Sequence, residues 1–326
     1  PHLASSAASD VYKRQNSCCN PLAFMHLKTS PLQELDLSFY GIDNKVYVKR
    51  DDLIHHIISG NKWRKLKYNL LHFNTLNKKG IITMGGAYSN HTLALSYLCQ
   101  AYSIPCVLMV RGEKAHPLND ILSKCVSYNA SIKYLSRDHY RDNSWIKNFI
   151  SSNYNDYFFI PEGGANYYGI YGCQKITSEI KVPFDYIFCE VGTGATFSGI
   201  VSSLNKDQNC FGTVILKGAE KININISNFF NLQMKKKLNK QFILSHKYHF
   251  GGYAKNNVKL IRFIKEFYKV TGIKTDPIYS GKLFYSLIDQ LRTNSIFRNK
   301  TIIALHSGGV SGIKGFEKRY KIKIFN

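Results

Sequence analysis

Short apolar runs alternate with longer amphipathic segments from about position 46 to the end of the chain. The short runs are rich in β-branched and aromatic residues and predict strands at 46–49, 81–84, 106–110, 132–135, 157–160, 186–190, 213–216 and 301–305. The longer segments repeat apolar positions at helical spacing and predict helices at 62–76, 91–102, 118–128, 143–152, 169–179, 197–204, 258–271 and 282–292. Strands that alternate with such helices indicate βαβ units, so the predicted fold class is α/β with mostly parallel sheets.

Glycine-rich turns follow several of the predicted strands, at 85–91 (GGAYSNH), 161–166 (PEGGAN), 191–196 (VGTGAT) and 306–309 (HSGG). Ligands of open α/β sheets bind beyond the carboxyl ends of the strands, so these turns are where chemistry is expected. In the turn at 191–196, small residues let backbone N–H groups approach an anion at a helix N-terminus. The chain has no nucleoside-triphosphate loop of the form G-x-x-x-x-G-K-[ST]. Taken alone, the turn is equally well explained as a tight structural turn.

Lys62 opens a predicted helix, where the positive end of the helix dipole disfavours a cation. A lysine that forms a Schiff base with a carbonyl compound escapes much of that penalty and serves in covalent catalysis. Taken alone, however, the sequence around Lys62 is better explained by an exposed surface lysine.

Composition narrows the class of protein. The chain of 326 residues is long enough for two domains. No apolar run approaches the roughly 20 residues that a membrane-spanning helix needs. The eight cysteines are scattered without zinc-ligand spacing, which indicates reduced thiols in a cytoplasmic protein and predicts no metal site.

The formal net charge of +23 has several possible meanings. The basic residues are spread along the chain, and their clusters, such as 235–237 and 318–321, are short. A solvated basic surface explains this pattern, and the positive electrostatic field would also attract an anionic ligand. A nucleic-acid-binding protein without catalysis is a more distant alternative. Residues 1–20 begin Ala/Ser-rich and without an initiating Met, and we expect them to be a non-native leader.

A set of motifs in a fixed order gives a more specific indication. They are 47–53 (YVKRDDL), 60–66 (GNKWRKL), 85–91, 192–196 (GTGAT), 252–253 (GY), 276–282 (DPIYSGK) and 306–309. Together they resemble the 1-aminocyclopropane-1-carboxylate deaminase / D-cysteine desulfhydrase family, which consists of enzymes dependent on pyridoxal 5'-phosphate. The resemblance covers nearly everything after about position 27.

The resemblance implies an architecture, the tryptophan-synthase-β-like fold type II. It consists of two three-layer α/β/α domains with mostly parallel sheets. A large cofactor-binding domain would comprise 21–64 and 157–326, and a small α/β domain would be inserted at 65–156. The cofactor would lie in the cleft between the domains. Members of the family are usually homodimers.

The resemblance also implies roles for individual residues. Lys62 would hold pyridoxal phosphate covalently and move the substrate's Cα proton, with Ser89 at the substrate carboxylate and Tyr253 and Tyr279 facing the substrate. The cofactor would be bound by Asn90 at its ring oxygen, by Ser307 at its pyridine nitrogen, and by Gly192, Thr193, Gly194, Ala195 and Thr196 around its phosphate. Asp51, His91, Glu162 and Asn166 would either support the site or simply cap helices and loops.

Two positions bear on the reaction. The deaminase branch typically has a glutamate after the tyrosine of D-P-x-Y and an apolar residue in the last Gly-Gly loop, whereas this chain has Ser280 and Ser307. A hydroxyl at the pyridine nitrogen does not enforce its protonation, so the ring is a weaker electron sink. We therefore expect α,β-elimination from a small amino acid such as D-cysteine, giving pyruvate, ammonia and sulfide.

Two other activities stay open. Ring opening of 1-aminocyclopropane-1-carboxylate to 2-oxobutyrate and ammonia is the alternative reaction. A β-replacement synthase is less favoured, because those enzymes place the lysine in S-x-K-x-R and this chain has Asn61-Lys62-Trp63-Arg64.

Overall fold

The computed structural model describes residues 27, 29–114, 116–234 and 242–325. Strands β1 to β10 are Leu32–Glu34, Val46–Lys49, Gly80–Gly86, Cys106–Arg111, Ala130–Leu135, Tyr157–Ile160, Tyr186–Val191, Asn209–Val214, Phe242–Ser245 and Ile302–Leu305. Helices α1 to α11 are Asn61–Phe73, Asn90–Ala101, Asp120–Ser127, Arg137–Arg141, Asn143–Asn153, Tyr167–Ser178, Ala195–Ser203, Ile222–Asn228, Val258–Thr271, Ser280–Thr293 and Ile313–Tyr320. The expected leader at 1–20 and the basic cluster at 235–237 lie outside the described residues.

The strands form two sheets. The larger has six strands in the order β1-β2-β10-β7-β8-β9, and the smaller has four in the order β5-β4-β3-β6. Only the β1–β2 pair among the described strands is antiparallel; every other pair is parallel. The smaller sheet includes β6, which lies beyond position 156, so it extends past the predicted end of the inserted segment.

Each sheet is covered by helices on both faces, because successive side chains of a strand point to opposite sides. In β10, Ile302 and Ala304 pack with the apolar side chains of α9 and α10, whereas Ile303 and Leu305 pack with those of α6 and α7. The smaller sheet packs α1, α2 and α3 on one face and α4 and α5 on the other. The predicted three-layer α/β/α architecture with mostly parallel sheets is confirmed.

Helix α1, which carries Lys62, is held by buried ion pairs. Arg64 lies 2.5 Å from Asp51 and 2.8 Å from Glu179, and Lys49 at the end of β2 also pairs with Glu179 at 2.8 Å. Losing one partner of a buried pair typically costs about 3–5 kcal/mol, so this network fixes the start of α1 firmly against the larger sheet. Asp51 therefore supports the fold and does not line the cavity described below.

All the predicted strands and helices occur, and most end within a few residues of their predicted limits. Strand β8 was misplaced, because it begins at Asn209 and includes Gly212, which weakens the apolar pattern. A Cβ at Gly212 would collide with Leu244 and Phe197, so close packing requires glycine there. Five elements were not predicted: β1, β9, α4, α8 and α11. Within the described ranges, no helix combines the length and the apolar character needed to cross a membrane.

Candidate active site

A cavity of about 680 Å³ lies between the two sheets. Its walls come from the carboxyl ends of strands in both sheets: Gly86 in β3, Arg111 in β4, Glu190 in β7, and Ile215 and Ser307 just after β8 and β10. This volume is within the range of small-molecule sites. The glycine-rich turns that the sequence singled out therefore converge on one cavity.

Lys62 projects into this cavity from the first turn of α1. Its Nζ donates a hydrogen bond of 2.5 Å to Oδ1 of Asn61. The amide Nδ2 of Asn61 donates in turn to Oγ1 of Thr196 at 3.1 Å. The Asn61 amide thus joins the predicted covalent lysine to the predicted phosphate-binding turn, two segments far apart in the sequence.

The surroundings of Lys62 favour its neutral form. Burial is the main cause and the neighbouring Lys65 cation adds to it, so that the pKa of Lys62 falls from 10.5 to about 7, against the opposing effect of Glu190. A neutral amine is a nucleophile toward carbonyl groups, whereas an ammonium is not. Lys62 is therefore chemically ready for Schiff-base formation near neutral pH.

This pKa leads to a prediction about cofactor uptake. When the protein without cofactor is mixed with pyridoxal phosphate, the rate at which the visible band develops should rise with pH through about 7 and then level off. The reason is that the neutral fraction of Lys62 increases across that range and is nearly complete above it. Stopped-flow absorbance at a series of pH values measures this rate. A rate that keeps rising toward pH 10.5, the ordinary pKa of lysine, would contradict a neutral Lys62.

The turn before α7 has the features of an anion site. Gly194 has φ of +89°, which places the chain directly before the N-terminus of α7. Gly192, Thr193, Gly194 and Thr196 line the cavity, whereas Ala195 is fully buried and offers only its backbone N–H. Backbone N–H groups at a helix N-terminus, together with hydroxyl donors, are the donor set that binds phosphate.

Lys65 adds a cation to the same cavity. It is only 4% exposed and lines the cavity one helical turn after Lys62. Burial lowers its pKa, and none of the described residues accepts a hydrogen bond from its amino group. A bound phosphate would supply the missing negative charge. The residues present therefore fit pyridoxal phosphate, with Lys62 for its aldehyde, the turn before α7 for its phosphate and Lys65 as a further basic group in the cavity.

The remaining predicted residues lie around the same cavity. Ser89 caps the N-terminus of α2, accepting from Thr92 N at 3.4 Å, and Asn90 follows it. Oδ1 of Asn90 accepts a hydrogen bond from Ser311 at 2.9 Å, so its Nδ2 is the group that could donate to a ring oxygen. The rings of Tyr253 and Tyr279 meet edge to face with centroids 6.1 Å apart, and both line the cavity.

The residues predicted as possible support differ in position. His91 and Glu162 line the cavity, whereas Asp51 and Asn166 do not. Asn166 caps α6, accepting from Gly169 N at 3.0 Å, and its Nδ2 donates to Asn69 at 2.7 Å. For Asp51 and Asn166, the structural alternative is the correct one.

His91 has a defined protonation state. The Thr83 hydroxyl donates to the Ile160 carbonyl, so it must accept from His91 Nε2 at 2.9 Å, which leaves Nδ1 as an acceptor. Burial, with the cations of Lys62 and Lys65, lowers the pKa of His91 to about 3. His91 is therefore a neutral acceptor beside the two lysines.

Two residues that line the cavity, Lys65 and Glu190, were not among the predicted site residues. Lys65 was noted only as a motif letter, and Glu190 only as the end of a strand. A carboxylate at the carboxyl end of the apolar strand β7, directly before a glycine turn, was the available signal for Glu190. No comparable signal distinguished Lys65 from the exposed lysines of the chain. In the described residues, no group of three or more His, Cys, Asp or Glu side chains could hold a metal ion.

Comparisons with known proteins bear on this site. The family model described as pyridoxal-phosphate dependent enzyme matches residues 23–308. A protein of Thermotoga maritima named putative 1-aminocyclopropane-1-carboxylate deaminase is 30% identical, over 90% of this chain and 98% of its own length. The bifunctional D-cysteine desulfhydrase/1-aminocyclopropane-1-carboxylate deaminase, mitochondrial, of Arabidopsis thaliana is 24% identical, over 88% of this chain and 78% of its own length. A solved structure described as an ACC deaminase homologue has a TM-score of 0.78 at 24% identity, covering 95% of this chain and 98% of its own.

Proposed function

The chain belongs to the family of pyridoxal-phosphate-dependent enzymes, and we propose that it eliminates the β-substituent of a small D-amino acid such as D-cysteine. The products would be pyruvate, ammonia and sulfide. The observation that carries this proposal is the meeting, in one cavity, of the neutral Lys62 amine, the anion-binding turn before α7 and the Tyr253–Tyr279 pair.

Bound pyridoxal phosphate supplies an electron sink for the electron pair left on the substrate's Cα when its proton is removed. The side chains of the cavity would supply everything else. Lys62 is the base that takes the Cα proton, because its amine is neutral near pH 7. Ser89 and the backbone N–H groups at the start of α2 would orient the substrate carboxylate.

We assign protonation of the leaving group to the two tyrosines. Burial raises the pKa of both Tyr253 and Tyr279, so each keeps its phenol proton at neutral pH. A phenol can donate that proton to the sulfur as the Cβ–S bond breaks. Sulfur then leaves as a neutral or singly charged sulfide, while Lys62 retains the proton taken from Cα.

The structure around Ser280 supports elimination over ring opening. The Ser280 hydroxyl donates to Asp276 Oδ2 at 2.7 Å, and the side chain is fully buried away from the cavity. The position after Tyr279 therefore provides neither a carboxylate nor any other group to the substrate. This removes the acid/base group that the deaminase pattern places there.

Ring opening of 1-aminocyclopropane-1-carboxylate is the second candidate, because Glu162 and Glu190 do place carboxyl groups on the cavity wall. The relatives described above carry the names of both activities. Either carboxyl could take over the part of the missing glutamate. A direct comparison of substrates separates the two candidates.

The prediction for that comparison is a clear preference. With pyridoxal phosphate bound, D-cysteine should give sulfide and pyruvate, with kcat/KM at least about tenfold above the value for 1-aminocyclopropane-1-carboxylate, a difference of about 1.4 kcal/mol in transition-state binding. Sulfide release and keto-acid formation measure the two reactions, and L-cysteine tests the stereochemistry. Robust formation of 2-oxobutyrate with no turnover of D-cysteine or of other β-substituted D-amino acids would contradict the proposal.

Two properties of the whole protein belong to the same proposal. We propose a homodimer that works in the cytoplasm, as the family resemblance and the six free cysteines of the described residues suggest. Analytical ultracentrifugation of the purified protein measures whether it is a dimer.

A further inference from the structure

Glu190 places a buried carboxyl group in the wall of the cavity, and this group has no role in the elimination proposed above. It lies near the end of β7 and is 5% exposed. Its Oε1 accepts a hydrogen bond from the Ser307 hydroxyl, and Oε2 has no partner among the described residues. Resting on the proposed function, we propose that Glu190 acts through Ser307 to keep the pyridine nitrogen of bound pyridoxal phosphate protonated.

The hydroxyl of Ser307 has one proton to donate and two lone pairs. In the structure that proton is directed to Glu190, so Oγ faces any further neighbour as an acceptor. An acceptor at the pyridine nitrogen favours the protonated ring, because only N–H can donate to it. A serine without the carboxylate would donate instead, and would favour the unprotonated ring.

A second carboxyl group near Glu190 also favours a protonated ring nitrogen. The carboxyl group of Asp276 accepts from the backbone N–H groups of Ile278, Tyr279 and Ser280 at 2.7–3.0 Å. It faces Glu190 as a negative charge, while Lys62 and Lys65 face it from α1 as potential cations. A positively charged ring beside Ser307 would be favoured by the two carboxyl groups and opposed by whichever of the two lysines is charged.

Glu190 can also provide the proton. Burial raises its pKa to about 8, with Asp276 adding to this effect and the backbone and the two lysines opposing it. Before the cofactor binds, Glu190 therefore carries a proton at neutral pH. To deliver that proton, the Ser307 hydroxyl would turn from Glu190 to the ring nitrogen, give up its own proton there and take one from Glu190, after which it would again donate to Glu190. A carboxylate and a pyridinium then replace two neutral groups, with no net change in charge.

This arrangement changes the expectation drawn from Ser307 alone. A protonated pyridine ring withdraws electrons more strongly than a neutral one, so the cavity would stabilise the carbanion better than a lone serine allows. Glu190 is in this sense a positioning residue: it determines which way the Ser307 hydroxyl points.

The test uses the holoenzyme reconstituted with pyridoxal phosphate labelled with ¹⁵N in the ring. The ¹⁵N chemical shift reports whether that nitrogen carries a proton, whatever the activity of the enzyme. We expect the protonated signal in the wild type at neutral pH and its loss in Glu190→Gln, which keeps the shape of the side chain but cannot ionise. Ser307→Ala, which leaves Glu190 in place, should lose the signal as well.

Glu162→Gln is the matched control, because Glu162 lines the same cavity without a recorded bond to Ser307. It should leave the ¹⁵N signal unchanged. An unprotonated nitrogen in the wild type, or the same protonated signal in Glu190→Gln and Ser307→Ala, would overturn the role of Glu190. If the protein does not bind the cofactor at all, no bound signal is seen, and the proposed function fails first. If the cofactor binds but D-cysteine is not turned over, the ¹⁵N result still decides the role of Glu190.

Discussion

Lys62→Ala is expected to remove the visible band of lysine-bound pyridoxal phosphate and to lower the turnover of D-cysteine by about 10³-fold or more. Two functions are lost together, since the same amine holds the cofactor and takes the Cα proton. We do not expect Lys65 to replace it, because Lys65 lies one helical turn further along α1. Absorption spectra and sulfide release measure the two losses.

Lys67→Ala is the control for this prediction. Lys67 lies on the same helix but does not line the cavity, and its ammonium approaches the rings of Trp63 and Tyr68 instead. The band and the activity should both survive in this variant. A Lys62→Ala protein that kept a normal band and normal turnover would show that another lysine holds the cofactor.

Gly60→Ala is expected to disrupt the site and to lower the free energy of unfolding by about 2–6 kcal/mol, the sum of backbone strain and overpacking. Gly60 has φ of +67° and ψ of −144°, a conformation that side chains with a Cβ rarely adopt. A Cβ there would also overlap the carbonyl oxygen of Ser307, which accepts the N–H of Asn61 at 3.0 Å. Displacing this contact moves Lys62 and Ser307 apart, so cofactor binding should be lost as well.

Gly41→Ala is the comparison variant: it also places a Cβ at a positive φ, but without a collision. Gly41 has the same φ of +67° but a ψ of 38°, in the left-handed helical region that costs alanine less, and a Cβ there would meet nothing within 4 Å. Its cost should be about 1–2 kcal/mol, with cofactor binding unchanged. Chemical denaturation and spectral titration with pyridoxal phosphate measure both quantities. Equal losses of stability and equal cofactor affinity in the two variants would show that the Gly60–Ser307 contact does not hold the site together.

The fold could be predicted wherever a local pattern determined the structure. Helix α9 was predicted with its observed limits, Val258–Thr271, because its apolar face is regular and both ends are marked. Asn257 accepts from Leu260 N at 3.1 Å at one end, and Gly272 takes φ of +69° at the other. Strand β8 was misplaced because Gly212 reflects contacts with Leu244 and Phe197, which are distant in the sequence.

The residues of the candidate site could be predicted where they belong to the sequence motifs. Every residue assigned to the site lines the cavity except Ala195, which lies buried at the start of α7. Their individual chemical roles stay predictions. What the sequence could not supply were the effects of burial: the pKa of Lys62 near 7, the lowered pKa of Lys65, and the bond between Ser307 and Glu190. Such effects depend on contacts between segments that are distant in the sequence. Ser307 and Glu190, for example, are more than a hundred residues apart.

The most direct test of the central claim is to locate the cofactor on the chain. Borohydride reduction of the holoenzyme fixes pyridoxal phosphate to the lysine that holds it, and mass spectrometry of the peptides identifies that residue. Lys62 and Lys65 lie in the same cavity, so the experiment has to resolve one from the other. We predict modification at Lys62 with Lys65 unmodified. Modification of Lys65 or of a lysine outside the cavity, or the absence of any modified peptide, would contradict the account.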